Sequence, residues 1–419
     1  MSVNRVAVVK AYAQTRMAHA FLRTRADIDR HQARLWRRLA PALARTPALS
    51  ALAGSPLSAS PIVEPGNMRA RPGDWNSLGL SADEIMAGAE AAEHGDAGAV
   101  RPGVHAGFST GTSGARGTFL SSKPERARYL GQCLAKLLPG SPLRRRRIGL
   151  CLRANNALYR DVANAGPFEF RFFSLDAPAQ SRASEIEGFA PDIFVAPSHV
   201  LAELALLATE GKFRAPPFER LLYGAEPMGA WERVWITEAL GARPDPIYQA
   251  TEGFLGSACS RGVLHLNEDS IAFEFDPIAG SDRFRPIVTD LRRKSQPIVR
   301  VRLDDIVQFR DTPCPCGSVL QAIQPVEGRV ADIWRWDKVR IFPRQVEHAL
   351  AEALSPPDEW RAVASPTGVS LACDGPRADQ ARAALVKLLT DAGAAQPVTV
   401  QSLSPESSPK RRRVQWRDV

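Results

Sequence analysis

The sequence is poor in cysteine. Six cysteines in 419 residues are too few for a disulfide framework, so their spacing is read first as metal or catalytic chemistry. Long apolar runs are missing as well. No stretch reaches the ~20 continuous apolar residues that a membrane helix needs, so no membrane partner is expected. The opening segment MSVNRVAVVKAYAQTRMAHAFL is broken by Arg5, Lys10 and Arg16. It lacks a signal-type apolar core followed by a small-residue cleavage site, and a cytoplasmic location is expected. There is no internal repeat and no long low-complexity tract. Zinc-finger and helix-turn-helix spacings are absent, and the basic runs carry no interleaved aromatics. Nucleic acid is therefore not the expected partner.

What remains is ordinary for a soluble globular chain, with 44% apolar and 24% charged residues. At roughly 150 residues per domain the length suggests two or three domains. The net charge is +9, from 54 basic and 45 acidic residues. It admits a polyanionic partner such as a nucleotide or an acidic carrier protein. Much of the excess is local, in Arg144–Arg147 and Lys410–Arg413. Each run, taken alone, reads as a solvated charged segment.

Helical periodicity runs through residues 1 to about 52, and a Pro/Ser/Gly-rich stretch follows near Ser55–Pro72. Ser81 and Glu84 have the spacing of a capping box before another helix. From Val104 onward short apolar runs alternate with helical segments. RRIGLCL, FRFFSL, DIFVAP and ERLLYGAE read as buried strands. SKPERARYLGQCLAKLL, SHVLAELALLATEG and AWERVWITEALG read as the helices between them. This alternation predicts an α/β sheet covered by helices. A boundary is expected near Gly328, giving a region 1–328 with a helical lead-in over 1–100. A small α+β region 329–419 follows, with IFPRQVEHALAEAL as one of its helices.

Several segments carry candidate chemistry. FSTGTSGARGTF, residues 108–119, is a Ser/Thr/Gly-rich loop after a strand, able to offer amides and hydroxyls to an anion. It is not a Walker-type loop, because Ala115-Arg116 follows Gly114 where that pattern needs Lys and Ser/Thr. Alone it is equally consistent with a surface turn. LLYGAEPMG ends a strand at Gly224-Ala225-Glu226. In PIYQATEGFLG, Thr251 and Glu252 follow a strand, and a hydroxyl beside a carboxylate suits phosphate and Mg²⁺. QPIVRVRLDDIVQF carries Asp304 and Asp305, placed either to grip ribose hydroxyls or to pair with Arg300 and Arg302. Cys259, with His265 after five intervening residues, and Cys314-x-Cys316 make a donor set suited to tetrahedral Zn²⁺. The alternative is four unrelated residues. Cys133, Cys151 and Cys373 read as small core residues.

The motifs STGTSG, GAEP, YQATE, LHLNED, PIVRVRLDD, CPCG and GRVAD occur in that order. The chain thereby resembles the adenylate-forming (acyl-AMP) ligases over about residue 60 to the C-terminus. It looks most like the phenylacetate–CoA ligase branch and the related nucleotidyl synthetases that act on a deazaflavin coenzyme. The resemblance implies a large N-terminal α/β adenylate-forming domain and a small mobile α+β C-terminal domain. It implies that Thr110, Gly111, Thr112, Ser113 and Gly114 cradle the ATP phosphates. Gly224, Ala225 and Glu226 would flank the adenine, and Tyr248 would stack near it. Thr251 would bind phosphate, Glu252 would hold Mg²⁺, Asp305 would grip the ribose and Arg329 would lie close to it. Lys410 would contact the carboxylate and α-phosphate, against the reading of a solvated tail. The same branch has cysteines and a histidine at the zinc positions, with four protein ligands and hence a structural role.

The acyl pocket is expected from residues 153–160 and 196–200, with Asn155, Asn156 and Tyr159 as hydrogen-bonding groups. His199 is either another such group or a structural histidine. Gln249 stands where the family has Gly and would narrow the pocket. Ala331 departs from the family's hinge residue, so either Asp332 takes over or the hinge sits elsewhere, and Lys338 replaces a glycine of the pantetheine-side loop. The implied activity is ATP-dependent adenylation of a carboxylic acid, aromatic and of the hydroxybenzoate kind. Transfer to coenzyme A or an acyl carrier protein would follow. Nucleotidyl transfer to a coenzyme hydroxyl, and a degenerate non-catalytic member, are the alternatives.

Overall fold

The computed structural model describes residues 4–94, 98–109, 116–152, 167–404 and 411–418. Its architecture is a large N-terminal α/β domain followed by a smaller α+β domain.

The N-terminal helices start where the sequence supplies caps. Asn4 accepts from the amides of Val6 and Ala7 at the head of Arg5–Phe21. Thr24 and Asp27 form a capping box at Arg25–Leu43, and Ser81 and Glu84 form the expected one at Ala82–Glu93. Arg5–Phe21 lies against the helix Lys123–Leu137 at backbone distance. A Cβ on Gly131 would stand 2.6 Å from the Val8 carbonyl oxygen, so only glycine permits this approach.

An eight-stranded sheet forms the centre. Arg146–Leu152, Phe168–Ser174, Ile193–Pro197, Arg220–Gly224 and Pro244–Ala250 run parallel. Gly253–Ala258, Leu264–Leu266 and Ala322–Ile323 extend it antiparallel. The helices Ser198–Thr209 and Ala230–Leu240 connect successive parallel strands. Leu201, Leu204, Phe194, Phe173 and Ile186 fill one face of the sheet. The strand and helix assignments made from the apolar runs hold throughout this sheet. In open sheets of this kind ligands gather beyond the carboxyl ends of the strands. Here those ends carry Ser198–His199, Ala225–Glu226 and Thr251–Glu252.

A five-stranded antiparallel sheet follows, in which Asp305 pairs across from Arg329. The small domain has its own core, with Trp334, Trp336, Trp416, Leu371 and Leu385. Its four-stranded sheet places Val414–Trp416 parallel to Trp360–Ser365. The Trp334 indole donates to the Gln415 carbonyl at 2.9 Å, and the Trp336 and Trp416 rings meet edge to face at 5.4 Å. The expected helix over Ile341–Leu354 is shorter, Pro343–Leu350. Turns lead from it into Pro356-Pro357, and the residue before a proline is disfavoured in helical backbone. Among the described residues, no helix is long and apolar enough to cross a membrane.

Candidate active site

The strand Pro244–Ala250 delivers Tyr248 into the interior, where its hydroxyl donates to Asp305 Oδ2 at 2.7 Å. Burial raises the Tyr248 phenol well above its usual range, and the Asp305 charge adds to this. The phenol therefore stays a donor to Asp305. Glu252 lies just beyond the strand end. Burial pushes its carboxyl above the usual range and the nearby Asp305 charge adds to that, while Arg293 and Arg69 oppose it. Arg293 also ties the turn down, donating to the Thr251 carbonyl at 2.7 Å. Gln249 points outward, its Oε1 accepting from the Tyr129 hydroxyl at 3.1 Å. Asp305, Tyr248, Glu252 and Arg329 are thus brought together at one end of the sheet.

Gly224, Ala225 and Glu226 follow the neighbouring strand. Ala225 has φ 70°, a left-handed conformation that costs a residue with a side chain about 1 kcal/mol or more. It turns the Glu226 side chain inward. The Glu226 carboxylate accepts from the Ser198 hydroxyl at 3.0 Å and His199 Nδ1 at 2.9 Å. It also accepts from the Arg411 amide at 2.9 Å. Burial opposes ionisation here, yet the bond from His199 and the charge of Arg411 carry the carboxyl below its usual range. His199 is thus committed through Nδ1 to Glu226, as a structural histidine would be.

The basic tail corrects the reading of a solvated segment. Arg411 Nη2 meets Glu232 at 2.5 Å and Nη1 meets Glu359 at 2.9 Å. Arg412 pairs with Asp332, which accounts for the acid next to Ala331. In the run Arg144–Arg147 only Arg146 departs from that reading, its side chain 3% exposed and bonded to Glu219 at 2.8 Å, while Arg144, Arg145 and Arg147 are exposed.

The hairpin neck at Ser109 and Gly117 is closed by two bonds, Ser109 amide to Gly117 carbonyl at 2.7 Å and Gly117 amide to Ser109 Oγ at 2.9 Å. Thr110, Gly111, Thr112, Ser113 and Gly114 lie outside the described residues, as do Asn155, Asn156, Tyr159 and Lys410. Arg116 is committed to Glu93 and to the Phe108 ring, 4.7 Å from its centroid. Sequence reasoning missed Arg69, whose Cγ lies 3.5 Å from where a Cβ on Gly117 would stand. Its charge acts on Glu252 from the helix Pro65–Ala70. No local pattern marked it, because the contact joins segments far apart in the chain.

The donor atoms of Cys259, His265, Cys314 and Cys316 all lie within 4.8 Å of one another. Cys259 and Cys314 sulfurs are 3.7 Å apart, and Cys316 Sγ is 3.4 Å from His265 Nε2. A tetrahedral thiolate site has a sulfur–sulfur edge of about 3.8 Å. His265 Nδ1 is bonded to the Leu320 carbonyl at 2.9 Å, which leaves Nε2 to face the sulfurs. Gly317 at φ 75° turns the Cys314–Cys316 knuckle.

No family model matches the chain, and no curated relative does either. Solved structures do. A 2-hydroxyisobutyryl-CoA ligase in the postadenylation state, in complex with 2-HIB-AMP, superposes with TM-score 0.67 at 17% identity, over 94% of this chain and 88% of that one. Against an open conformation of the same ligase the TM-score is 0.53, at 16% identity, over 96% of this chain and 90% of that one. An amide bond synthetase from Marinactinospora thermotolerans gives 0.55 at 16% identity, over 74% and 67%. An anthranilate CoA ligase in complex with anthranoyl-AMP gives 0.52 at 12%, over 74% and 65%. The chain has the fold of the adenylate-forming ligases.

Proposed function

We propose that the protein activates a carboxylic acid with ATP and passes the acyl group to a pantetheine thiol, of coenzyme A or of an acyl carrier protein. The observation that carries this reading is the meeting of Tyr248–Asp305, Arg329 and Glu252 at the strand ends of this fold. In the first step a carboxylate oxygen bonds to the α-phosphorus, the bond to the β-phosphate oxygen breaks, and pyrophosphate leaves. In the second a thiol sulfur bonds to the acyl carbon, AMP departs with the bonding electrons, and the thiol proton goes to solvent or base.

Positioning and charge neutralisation supply most of the acceleration in such chemistry. Thr110–Gly114 and Thr251 would hold phosphates, Asp305 the ribose hydroxyls, and Arg329 would lie beside the ribose. Gly224 and Ala225 would border the adenine, and Lys410 would meet the carboxylate and α-phosphate. Glu226 would act inward, through the helix and tail it holds. The oxygen donors of Glu252 suit Mg²⁺, which when bound offsets phosphate charge. Asn155, Asn156, Tyr159 and segment 196–200 would shape a pocket for an aromatic acid. The Cys₃His set would hold zinc structurally, because four protein donors leave no open position.

ATP–pyrophosphate exchange against aryl, fatty and amino acids tests the reading. Exchange confined to aryl acids is expected, and silence with every acid would sink it. Metal analysis should find one zinc per chain, lost in Cys314→Ser. Nucleotidyl transfer to a coenzyme hydroxyl is the second reading. It is favoured by Lys338 in the Asp337–Lys338 turn, where a thiol arm would need room. The boundary between domains is proposed at 328/329, with the small domain rotating between the two steps.

A further inference from the structure

The basic tail meets acidic groups of both domains at once. Arg411 belongs to the small domain, but its amide and Nη2 reach Glu226 at 2.9 Å and Ser198 Oγ at 3.4 Å in the large domain. Nη2 also meets Glu232 at 2.5 Å. Arg413 Nη2 lies 3.3 Å from both Glu232 and Glu359, with its guanidinium over the Trp360 ring. The Glu232 side chain is 3% exposed and that of Arg411 13%. Buried, forked arginine–carboxylate contacts of this kind depend strongly on geometry. Losing one partner leaves the other charge buried and uncompensated.

The partners divide in a telling way. Glu359 precedes the strand Trp360–Ser365 and Arg413 precedes the strand Val414–Trp416, two strands that pair within the small domain. If the domains part, Glu359 stays with both arginines. Glu232, on the helix Ala230–Leu240, is released to water. Glu226 keeps its bonds from Ser198 and His199 within the large domain, so each carboxylate retains protein or water partners in both states and the contact can open and close.

We propose that Arg411 and Arg413, closed on Glu232, form an electrostatic clasp that holds the small domain in the adenylation arrangement and must open before thiol transfer. Arg411 is then a positioning residue. This rests on the ligase reading above. It uses the better superposition on the postadenylation state, 0.67 against 0.53 for the open form.

The test compares the wild-type chain with Glu232→Gln and the conservative Arg411→Lys. Three readouts are taken: ATP–pyrophosphate exchange, thioester formation from a supplied acyl-adenylate with coenzyme A, and X-ray scattering of the ligand-free protein. Exchange should fall roughly tenfold, thioester formation should hold or rise, and the radius of gyration should increase. A parallel fall in both half-reactions, or an unchanged radius with unchanged exchange, overturns the clasp. If wild type exchanges with no acid while the variants still expand, the ligase reading falls and the clasp stands. Glu232→Gln keeps shape and volume, so it guards against a folding defect in the arginine variant.

Discussion

The two basic runs look alike in sequence and differ in what the fold sets opposite them. Arg144–Arg147 opens the strand Arg146–Leu152, at the end of the sheet away from the candidate site. Arg146 there donates to Glu219 and to the carbonyls of Ser141 and Pro139 at 2.8 and 2.6 Å. It staples a loop to its own domain. Lys410–Arg413 enters the small domain's sheet, and Arg411 spans to the other domain. A charge run therefore says that partners are needed. Topology decides whether those partners make the run a staple or a clasp.

Four substitutions separate the two roles. Arg146→Ala has the largest expected effect, a loss of about 3 kcal/mol in stability, because the Ser141 and Pro139 carbonyls lose a buried donor while Glu219 keeps only Arg144. Exchange activity per folded molecule should be unchanged, so a denaturant titration alongside the exchange assay checks both halves. Arg411→Ala should do the reverse, lowering exchange roughly 5- to 150-fold with a smaller shift in melting temperature. If it behaves like Arg146→Ala, the comparison breaks.

Glu347→Gln probes the surroundings of the clasp. Burial pushes the Glu347 carboxyl up to about 7, with Glu232 and Glu327 adding to this and Arg413 and Arg344 opposing it. A raised acid binds its proton more tightly when folded. Its contribution is complete below the usual carboxylate range and is lost as pH climbs through about 7. Wild type should lose about 2 kcal/mol of stability over that window, and the Gln variant should not. Melting temperatures at pH 5 and 8 decide it. Arg144→Ala should do least, below about 1 kcal/mol, because its side chain is 65% exposed.

The central sheet was legible because RRIGLCL, DIFVAP and ERLLYGAE are short apolar runs between periodic helices, a pattern set by local burial. The Ser81–Glu84 cap was legible for the same local reason. The Cys₃His set was readable from residue type, although its halves are about fifty residues apart, since four such donors have few other uses. Glu226 was not readable. Its carboxylate is taken up by Ser198, His199 and Arg411, partners that lie far from it along the chain. Arg69 and Glu232 were silent for a related reason. Each is an ordinary charge on a helix until the fold places it beside Glu252 or Arg411.

The burial of Glu232 also has a thermal consequence. Closing strips water from this carboxylate, and opening returns it. Hydration of charged groups becomes less favourable as temperature rises. Warming should therefore favour the closed arrangement and cooling the open one. The balance between forming the adenylate and handing on its acyl group would then drift with temperature, and Glu232→Gln should remove most of that drift.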